Sequence, residues 1–259
     1  MSQNKNLTIL SLNAWRGTLR DELVAYITDK KDVVDIFCFQ EANSEARVAF
    51  DELLLSGFTA HYATKNIGDE HYAQATYVRR GISVVRTASI FEDSQDNGLA
   101  LINTLQVMPD LQLTIVNVHG EPRPGDKLDT PSRLQQSRGI IDALQQIANP
   151  RVIIGDFNLD PETESVGMFA AHGYRNLISE FEIPTTRNEA AWERFPESKQ
   201  LYADYAFTHT DRSYDLDFSV EDNLVSDHLP LILTLSHKVG EMPAALSRVN
   251  MSATFTHTA

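Results

Sequence analysis

The stretch Arg151-Val-Ile-Ile-Gly-Asp-Phe-Asn158 constrains this chain more than any other. Its β-branched run, Val152 to Ile154, predicts a short buried strand. Gly155 then lets the backbone turn sharply, and Asp156 and Asn158 project one residue apart. Packing alone gives no reason for an apolar strand to end in a carboxylate and an amide. Delivered to one rim, the pair suits metal-assisted chemistry on an anionic substrate, and the rest of the chain must supply the groups that complete that rim.

From the N-terminus, apolar runs alternate with helical patterns. Residues 7–12 predict a buried strand ending in Asn13-Ala-Trp15. Thr18 can cap a helix to about Lys30, with Leu19, Leu23, Tyr26 and Ile27 on one face. Residues 33–39 predict a second buried strand ending in Gln40-Glu41, and a helix over 44–55 closes at Gly57. The period then changes. Residues 72–78, 82–90, 99–107 and 111–118 read as successive strands of an antiparallel meander, the last ending in Asn117-Val-His119. Three prolines and a glycine make 121–132 a loop. Pro131 suits the first turn of a helix to about Ala148, capped by Asp129 or Thr130. A helix over 162–172, an irregular segment 178–200 and strands over 202–208, 214–220 and 229–235 follow. No repeat and no linker divides this pattern, which predicts one α/β domain over 1–238 with two packed sheets and helices outside. Residues 239–259 lack periodicity and read as a flexible tail or docking segment.

Charge narrows the partners. Lys and Arg total 22 against 36 Asp and Glu, a net charge of −14, which argues against a broad basic face for coating nucleic acid. A bound cation or a local groove can still reverse the field at one site. Cys38, the single cysteine, lies between Phe37 and Phe39 and reads as core; without a second thiol it fits a reducing compartment. The opening residues lack the apolar stretch of a secretory signal, and no run approaches the roughly 20 apolar residues of a membrane span. A soluble cytoplasmic protein with no membrane partner is expected. The oligomeric state is not fixed by the sequence.

Polar signatures stand at the ends of the apolar strands: Asn13, Gln40-Glu41, Asn117-Val-His119, Gly155-Asp-Phe-Asn158 and Ser226-Asp227-His228, with Asp204 in Tyr202-Ala-Asp-Tyr205. Each alone has a bland explanation as a solvated strand end, a turn cap or a salt bridge. Together they are hard to attribute to folding. Their order resembles that of the endonuclease/exonuclease/phosphatase superfamily of DNase-like metal phosphoesterases, over about residues 7–235. The Gly-Asp-Phe-Asn and Ser-Asp-His-Leu-Pro segments carry most of that resemblance.

The resemblance implies an α/β four-layered sandwich, two mixed sheets packed face to face with helices outside. It also implies phosphate-ester hydrolysis with a divalent metal, magnesium or, as the alternative, manganese. Position by position it makes Glu41 the principal metal ligand with Asn13 beside it and Asp227 at the metal edge. Asp156 would align or deprotonate the attacking water. Asn158 and His119 would bond the phosphoryl group, and His228, oriented by Asp204, would act as base or phosphate binder. Trp15 departs from the pattern, because some nuclease members carry an acid there, and a two-metal site loses support.

The residue types also make chemical sense by themselves. A phosphodiester repels hydroxide, so its oxygens must be neutralised, which a hard cation on one or two carboxylates does. A histidine paired with an aspartate is held in one tautomer and made more basic. Arg187, in the irregular segment, either binds a substrate phosphate or forms a salt bridge; Arg133 and Gln136 either buttress the site or lie on a helix surface. Substrate choice would rest with the loops 64–73, 121–132 and 179–200, none strongly basic and none a long apolar hairpin. That balance favours a small phosphodiester or phosphomonoester. A DNA or RNA nuclease is the alternative, and a non-catalytic binding module on the same fold is the alternative from another class.

Overall fold

The computed structural model describes residues 6–68, 70–193, 196–210 and 214–237; the segment 239–259 lies outside them. One sheet contains β1 (Asn6–Asn13), β2 (Ile36–Gln40), β3 (Phe58–Ile67), β4 (Glu70–Arg79), β11 (Tyr214–Val220) and β12 (Leu231–His237). Its order is β11-β12-β1-β2-β4-β3. The other contains β5 (Ser83–Ile90), β6 (Leu99–Met108), β7 (Leu111–His119), β8 (Arg151–Asp156), β9 (Arg175–Asn176) and β10 (Asp204–His209), in the order β5-β6-β7-β8-β10-β9.

Strand alternation sorts the core into layers. Leu7, Ile9, Ile36 and Cys38 join Leu113, Ile115 and their neighbours in the core between the sheets. Leu10, Leu12, Phe37 and Phe39 point the other way, against Leu23 and Ile27 of α1 (Arg20–Lys30) and Phe50 of α2 (Ser44–Leu54). On the far side, Ile140 and Leu144 of α3 (Pro131–Leu144) and Phe169 of α4 (Glu164–Ala171) cover β7, β8 and β10. Helix, sheet, sheet, helix: the four layers are those the sequence implied.

Each sheet holds one parallel pair, β1/β2 and β7/β8. Parallel neighbours need a crossover, and α1 and α3 supply the two. Thr130 caps α3 by accepting from Arg133 N at 3.1 Å, while Asp129 accepts from Glu164 N and Ser165 N at the start of α4.

Several expectations need correction. The meander is split: β4 pairs with β2 and β3, whereas β5, β6 and β7 lie in the other sheet. Residues 64–73 are not a loop but the paired end of the β3/β4 hairpin. β3 escaped the sequence pattern because it is an edge strand that carries polar residues on both faces, Lys65 on the buried one and Thr64 and Asn66 on the exposed one. One of these, Lys65, is buried and donates to the carbonyls of Phe91, Ser94 and Asn97, so it tethers the edge to the opposite sheet. Thr18 does not cap α1; its hydroxyl bonds Trp15 O in a 3-10 turn, and Leu19 stands at the cap position. The segment 178–200 carries two short helices, Leu177–Glu180 and Glu189–Trp192.

Candidate active site

Register brings the strand ends together. In the parallel pairs Asn13 stands beside Gln40 and His119 beside Asp156, and in the antiparallel pair Asp204 stands opposite Asp156. The carboxyl ends of four strands therefore meet at one edge of the sandwich, where open α/β sheets place their ligand sites. Continuing the alternation from Ile9 through Ser11 puts Asn13 on the face between the sheets.

Asp156 is the centre of this edge and is 1% exposed. Its Oδ1 accepts from Asn158 N at 2.9 Å, and its Oδ2 accepts from Asn13 Nδ2 at 2.9 Å and Asn158 Nδ2 at 3.3 Å. Phe157, between them, is turned outward and packs edge-on against Phe169, Tyr205 and Phe207 at 5.6, 5.7 and 5.3 Å. Burying such a ring contributes about 2–3 kcal/mol, which holds its two polar neighbours in the site. Gly155 has φ +141°, and a Cβ there would lie 2.2 Å from Val118 O, so no other residue fits.

His228 completes the edge from the opposite sheet. Its Nδ1 lies 2.9 and 2.8 Å from the two oxygens of Asp204. Its Nε2 lies 3.0 Å from Arg187 Nη1, 3.8 Å from Asp156 Oδ2 and 3.9 Å from Asp227 Oδ1. A guanidinium can only donate, so this contact is that of an unprotonated Nε2 with the proton on Nδ1. Arg187 Nη2 donates to Asp227 Oδ2 at 2.8 Å. The loop is pinned from beneath, since Ser226 Oγ donates to Asn13 O at 2.7 Å and Leu229 N to Thr186 O at 2.9 Å.

Glu41 has a left-handed backbone, φ +50°. Asn13 Nδ2 donates to its Oε1 at 3.3 Å and Arg16 Nε lies 3.4 Å from its Oε2. His119 Nε2 is 4.0 Å from Glu41 and 3.9 Å from Asp156, its ring tilted against Tyr72 at 5.0 Å. Among the described residues its Nδ1 is buried without a partner.

The electrostatics separate the groups. Burial opposes a charge on Asp156, yet the positive field of His228, Lys127, His119 and Arg187 holds its pKa well below the usual carboxylate range. Burial and Arg187 oppose a charge on His228, and the carboxylates of Asp204, Asp227 and Asp156 outweigh them, so its pKa is raised. Burial pushes Asp204 up, despite His228 beside it.

The sequence-predicted residues are thus not equally close. Asn13, Glu41, His119, Asp156 and Asn158 form one connected group, and Asp204, His228, Arg187 and Asp227 form a second that meets it at Asp156. Asp227 bonds Arg187 and Ser226, with no contact to Glu41 among the described residues. For a hard cation, Glu41 offers carboxylate oxygens that no short hydrogen bond saturates, the donor type such a cation takes; Asn13 flanks it with Nδ2, its Oδ1 accepting from Trp15 N at 3.0 Å. Asp156, Asp204 and His228 also bring ligand atoms within 4.8 Å of one another, but the Asp204–His228 pair is already engaged internally.

Of the other residues at this edge, Gln40 and Asn117 were noted without a role, Arg133 and Gln136 were read as buttresses or helix-surface residues, and Lys127 was missed. Gln40 Nε2 donates to Asn117 Oδ1 at 2.7 Å, and Asn117 Nδ2 reaches Phe39 O, Ala75 O and Thr76 Oγ1 at 3.1, 3.2 and 3.3 Å, which joins the two sheets. Both stood in the polar strand-end signatures, the only signal available. Lys127, buried in the proline-rich loop, donates to Asn158 Oδ1 at 2.8 Å, and burial lowers its pKa to about 8 against the pull of Asp156 and Asp204. Arg133 is fully buried and bonds Glu121 O, Pro124 O and Leu128 O, and Gln136 Oε1 accepts from Gly98 N and Glu121 N; both shape this loop from behind. Two cavities of about 450 and 590 Å³ share Trp15, Pro122, Asn158, Arg187 and Asp227. The first reaches Glu41 and His228, and the second runs on to Lys127 and Gln200. Trp15 and Arg16 hold left-handed backbone angles, φ +45° and +56°, strain of a kind that gathers at functional sites.

The Endonuclease/Exonuclease/phosphatase family model matches residues 6–228. No curated protein matches the sequence. Among solved structures, an endonuclease/exonuclease/phosphatase family protein from Bacteroides thetaiotaomicron superposes with a TM-score of 0.68 at 17% identity, covering 92% of this chain and 100% of that one. The human Nocturnin catalytic domain with a bound sulfate anion gives 0.67 at 18%, covering 92% and 97%. The mannosyl-6-phosphatase Bt3783 of Bacteroides thetaiotaomicron gives 0.66 at 16%, covering 88% and 99%. At these identities the likeness is one of fold.

Proposed function

Because the chain belongs to the endonuclease/exonuclease/phosphatase family, hydrolases that act on phosphate esters, we propose that it cleaves a small phosphate ester by in-line attack of water activated between Asp156 and His228. The observation that carries this is the placing of His228. Asp204 holds its Nδ1, and its Nε2 faces Asp156 Oδ2 at 3.8 Å, close enough for one water to bond both.

His228 takes the water's proton. A base works best with a pKa near the working pH; that of His228 is raised by its carboxylates and that of Asp156 is depressed. Asp156 instead orients the water and stabilises the imidazolium that forms. His119 Nε2 and Asn158 Nδ2 donate to the phosphoryl oxygens, and Arg187, released from Nε2 when that nitrogen is protonated, meets a further oxygen. Glu41, with Asn13 and Asp227 at its edges, would hold magnesium, or manganese in its place, which neutralises non-bridging oxygens and the leaving group.

The cleft runs on from this centre, at Glu41 and His228, to Lys127 and Gln200, and that length favours a substrate that continues beyond phosphorus on the Lys127 side, a diester. That same observation keeps a nuclease as the second proposal, against which the net charge of −14 counts. Among the described residues no helix is long and apolar enough to cross a membrane, and we place the protein in the cytoplasm on the buried, unpaired Cys38.

The test is magnesium-dependent hydrolysis of bis(p-nitrophenyl) phosphate beside p-nitrophenyl phosphate, with Asp156→Asn as control. Faster diester cleavage, lost in the variant, is expected. Monoester preference makes the protein a phosphatase, and activity on neither returns the binding module as the better account.

A further inference from the structure

Lys127 is the cation that the hydrolytic scheme leaves unused. It is 6% exposed although it lies in a proline-rich loop, and it lines the cavity of about 590 Å³ beside the catalytic edge. An ammonium group has three N–H donors and no acceptor. Among the described residues Lys127 Nζ has one hydrogen-bond partner, Asn158 Oδ1 at 2.8 Å. Arg187 lines the same cavity and, among the described residues, its Nε is buried without a partner. Two cations that repel each other line one space, and Lys127 has donors unspent, an arrangement suited to an anion between them.

We propose that Lys127 is a second phosphate-binding residue of this site, acting with Arg187 on an anionic oxygen of the substrate, and that it also fixes the orientation of the Asn158 amide. The second role follows from chemistry. Lys127 cannot accept a hydrogen bond, so the amide atom facing it must be oxygen. Asn158 Nδ2 is thereby turned to Asp156 Oδ2 and Gly120 O, each at 3.3 Å. The amide thus turns its NH2 edge, not its oxygen, towards Asp156 and the rim, where a phosphate oxygen would compete for those two long bonds. The depressed pKa of Lys127 agrees with a buried cation whose full counter-charge arrives with the ligand. The proposal rests on the phosphoesterase assignment of the same rim, but its test does not require turnover.

Inorganic phosphate is the probe. Calorimetric titration of the full chain in magnesium buffer would compare the wild type with Lys127→Met, Lys127→Gln, Asn158→Ala and the Lys127→Met/Asn158→Ala double variant, each checked for thermal unfolding. Lys127→Gln can still donate to Asn158 Oδ1 but carries no charge. Both Lys127 variants are expected to bind phosphate about tenfold or more weakly, as for loss of a charged hydrogen bond. Lys127→Gln should keep kcat on bis(p-nitrophenyl) phosphate closer to wild type than Lys127→Met does, with KM raised in both. The loss from Lys127→Met should persist in the Asn158→Ala background. Equal phosphate affinity in wild type and both Lys127 variants, or no binding by the wild type, overturns the subsite. Disappearance of the loss in the Asn158→Ala background overturns the direct contact. Absence of ester turnover with Lys127-dependent phosphate binding would instead remove the hydrolase assignment and leave the subsite standing.

Discussion

Asn117 should be worth more to this fold as an amide than as a leucine, even though it is fully buried. A Leu side chain, with the same branching but a larger volume, would add apolar contact in the space between the sheets. What it would remove is larger. The 2.7 Å bond from Gln40 Nε2 is lost, along with donation from Nδ2 to Phe39 O, Ala75 O and Thr76 Oγ1 at 3.1 to 3.3 Å. The amide has two protons to share among those three acceptors, so about three net hydrogen bonds disappear, each contributing about 1 kcal/mol. Gln40 keeps only longer bonds to Ser11 Oγ and Cys38 O, both 3.2 Å. Asn117→Leu is therefore expected to destabilise by on the order of 3 kcal/mol, a large share of the 5–15 kcal/mol typical of a folded domain.

Urea unfolding measures this directly, with a lowered midpoint and an unchanged slope expected. The double variant Gln40→Leu/Asn117→Leu separates the pair from its surroundings. Each single change strands the other amide, whereas removing both leaves neither amide unpaired, so the double should cost less than the sum by about 1 kcal/mol or more. Because Gln40 precedes Glu41 and Asn117 lies two residues before His119, Asn117→Leu should also lower turnover well below its unfolding temperature. An Asn117→Leu protein as stable as wild type, or strictly additive costs, would refute the idea that this amide pair joins the sheets.

Three further outcomes are expected. Glu41→Gln, Asp156→Asn and His228→Ala should each lower turnover at least about a hundredfold with the cooperative thermal transition retained; normal activity in any of them removes that residue from the scheme. Gly155→Ala sets a Cβ 2.2 Å from a backbone oxygen and should destabilise by about 3 kcal/mol or more, whereas an unchanged urea midpoint would show that the strand end can shift. Lys127 has a folded pKa of about 8 against 10.5 ordinarily. The unfolded chain therefore binds the extra proton between those values, so this residue's contribution to stability rises with pH through that window. Lys127→Met should be the more stable protein at pH 7, and its advantage should shrink by on the order of 2 kcal/mol by pH 10; a gap independent of pH would contradict the burial of a charged amine.

How much of this was legible in the sequence follows from what each signal depends on. Strands buried on both faces, such as Phe37 to Phe39 and Val152 to Ile154, announce themselves because their environment is uniform. The polar residues that end them stand out for the same reason. Partner choice is not local. Glu70–Arg79 has the pattern of a meander strand whether its neighbour is β5 or β3, and only the packed structure shows that Arg80-Gly81 carries the chain from one sheet to the other. β3 was illegible as an edge strand whose inward lysine serves a hydrogen-bonding role and leaves no apolar trace.

The same distinction runs through the site. Asp156, Asn158, Asp204 and His228 were visible as polar residues at apolar strand ends, and register alone sets Asp204 opposite Asp156 and His119 beside it. Division of labour among them was not visible, because it depends on what each atom faces. Asp156 and Asp204 are both buried carboxylates opposite each other in register, yet the first lies among His228, Lys127, His119 and Arg187 and is held ionised, while the second is raised by burial. The resemblance made Asp227 a metal-edge acid, and Arg187, forty residues away along the chain, holds its Oδ2 at 2.8 Å. A cation drawn to Glu41 could recruit Asp227 only by breaking that pair. The strength of the Arg187–Asp227 contact therefore bears on the metal count: if Arg187→Met tightens magnesium binding, Asp227 is a ligand kept in reserve, and if it leaves magnesium affinity unchanged, Asp227 serves Arg187 and Glu41 holds the metal without it.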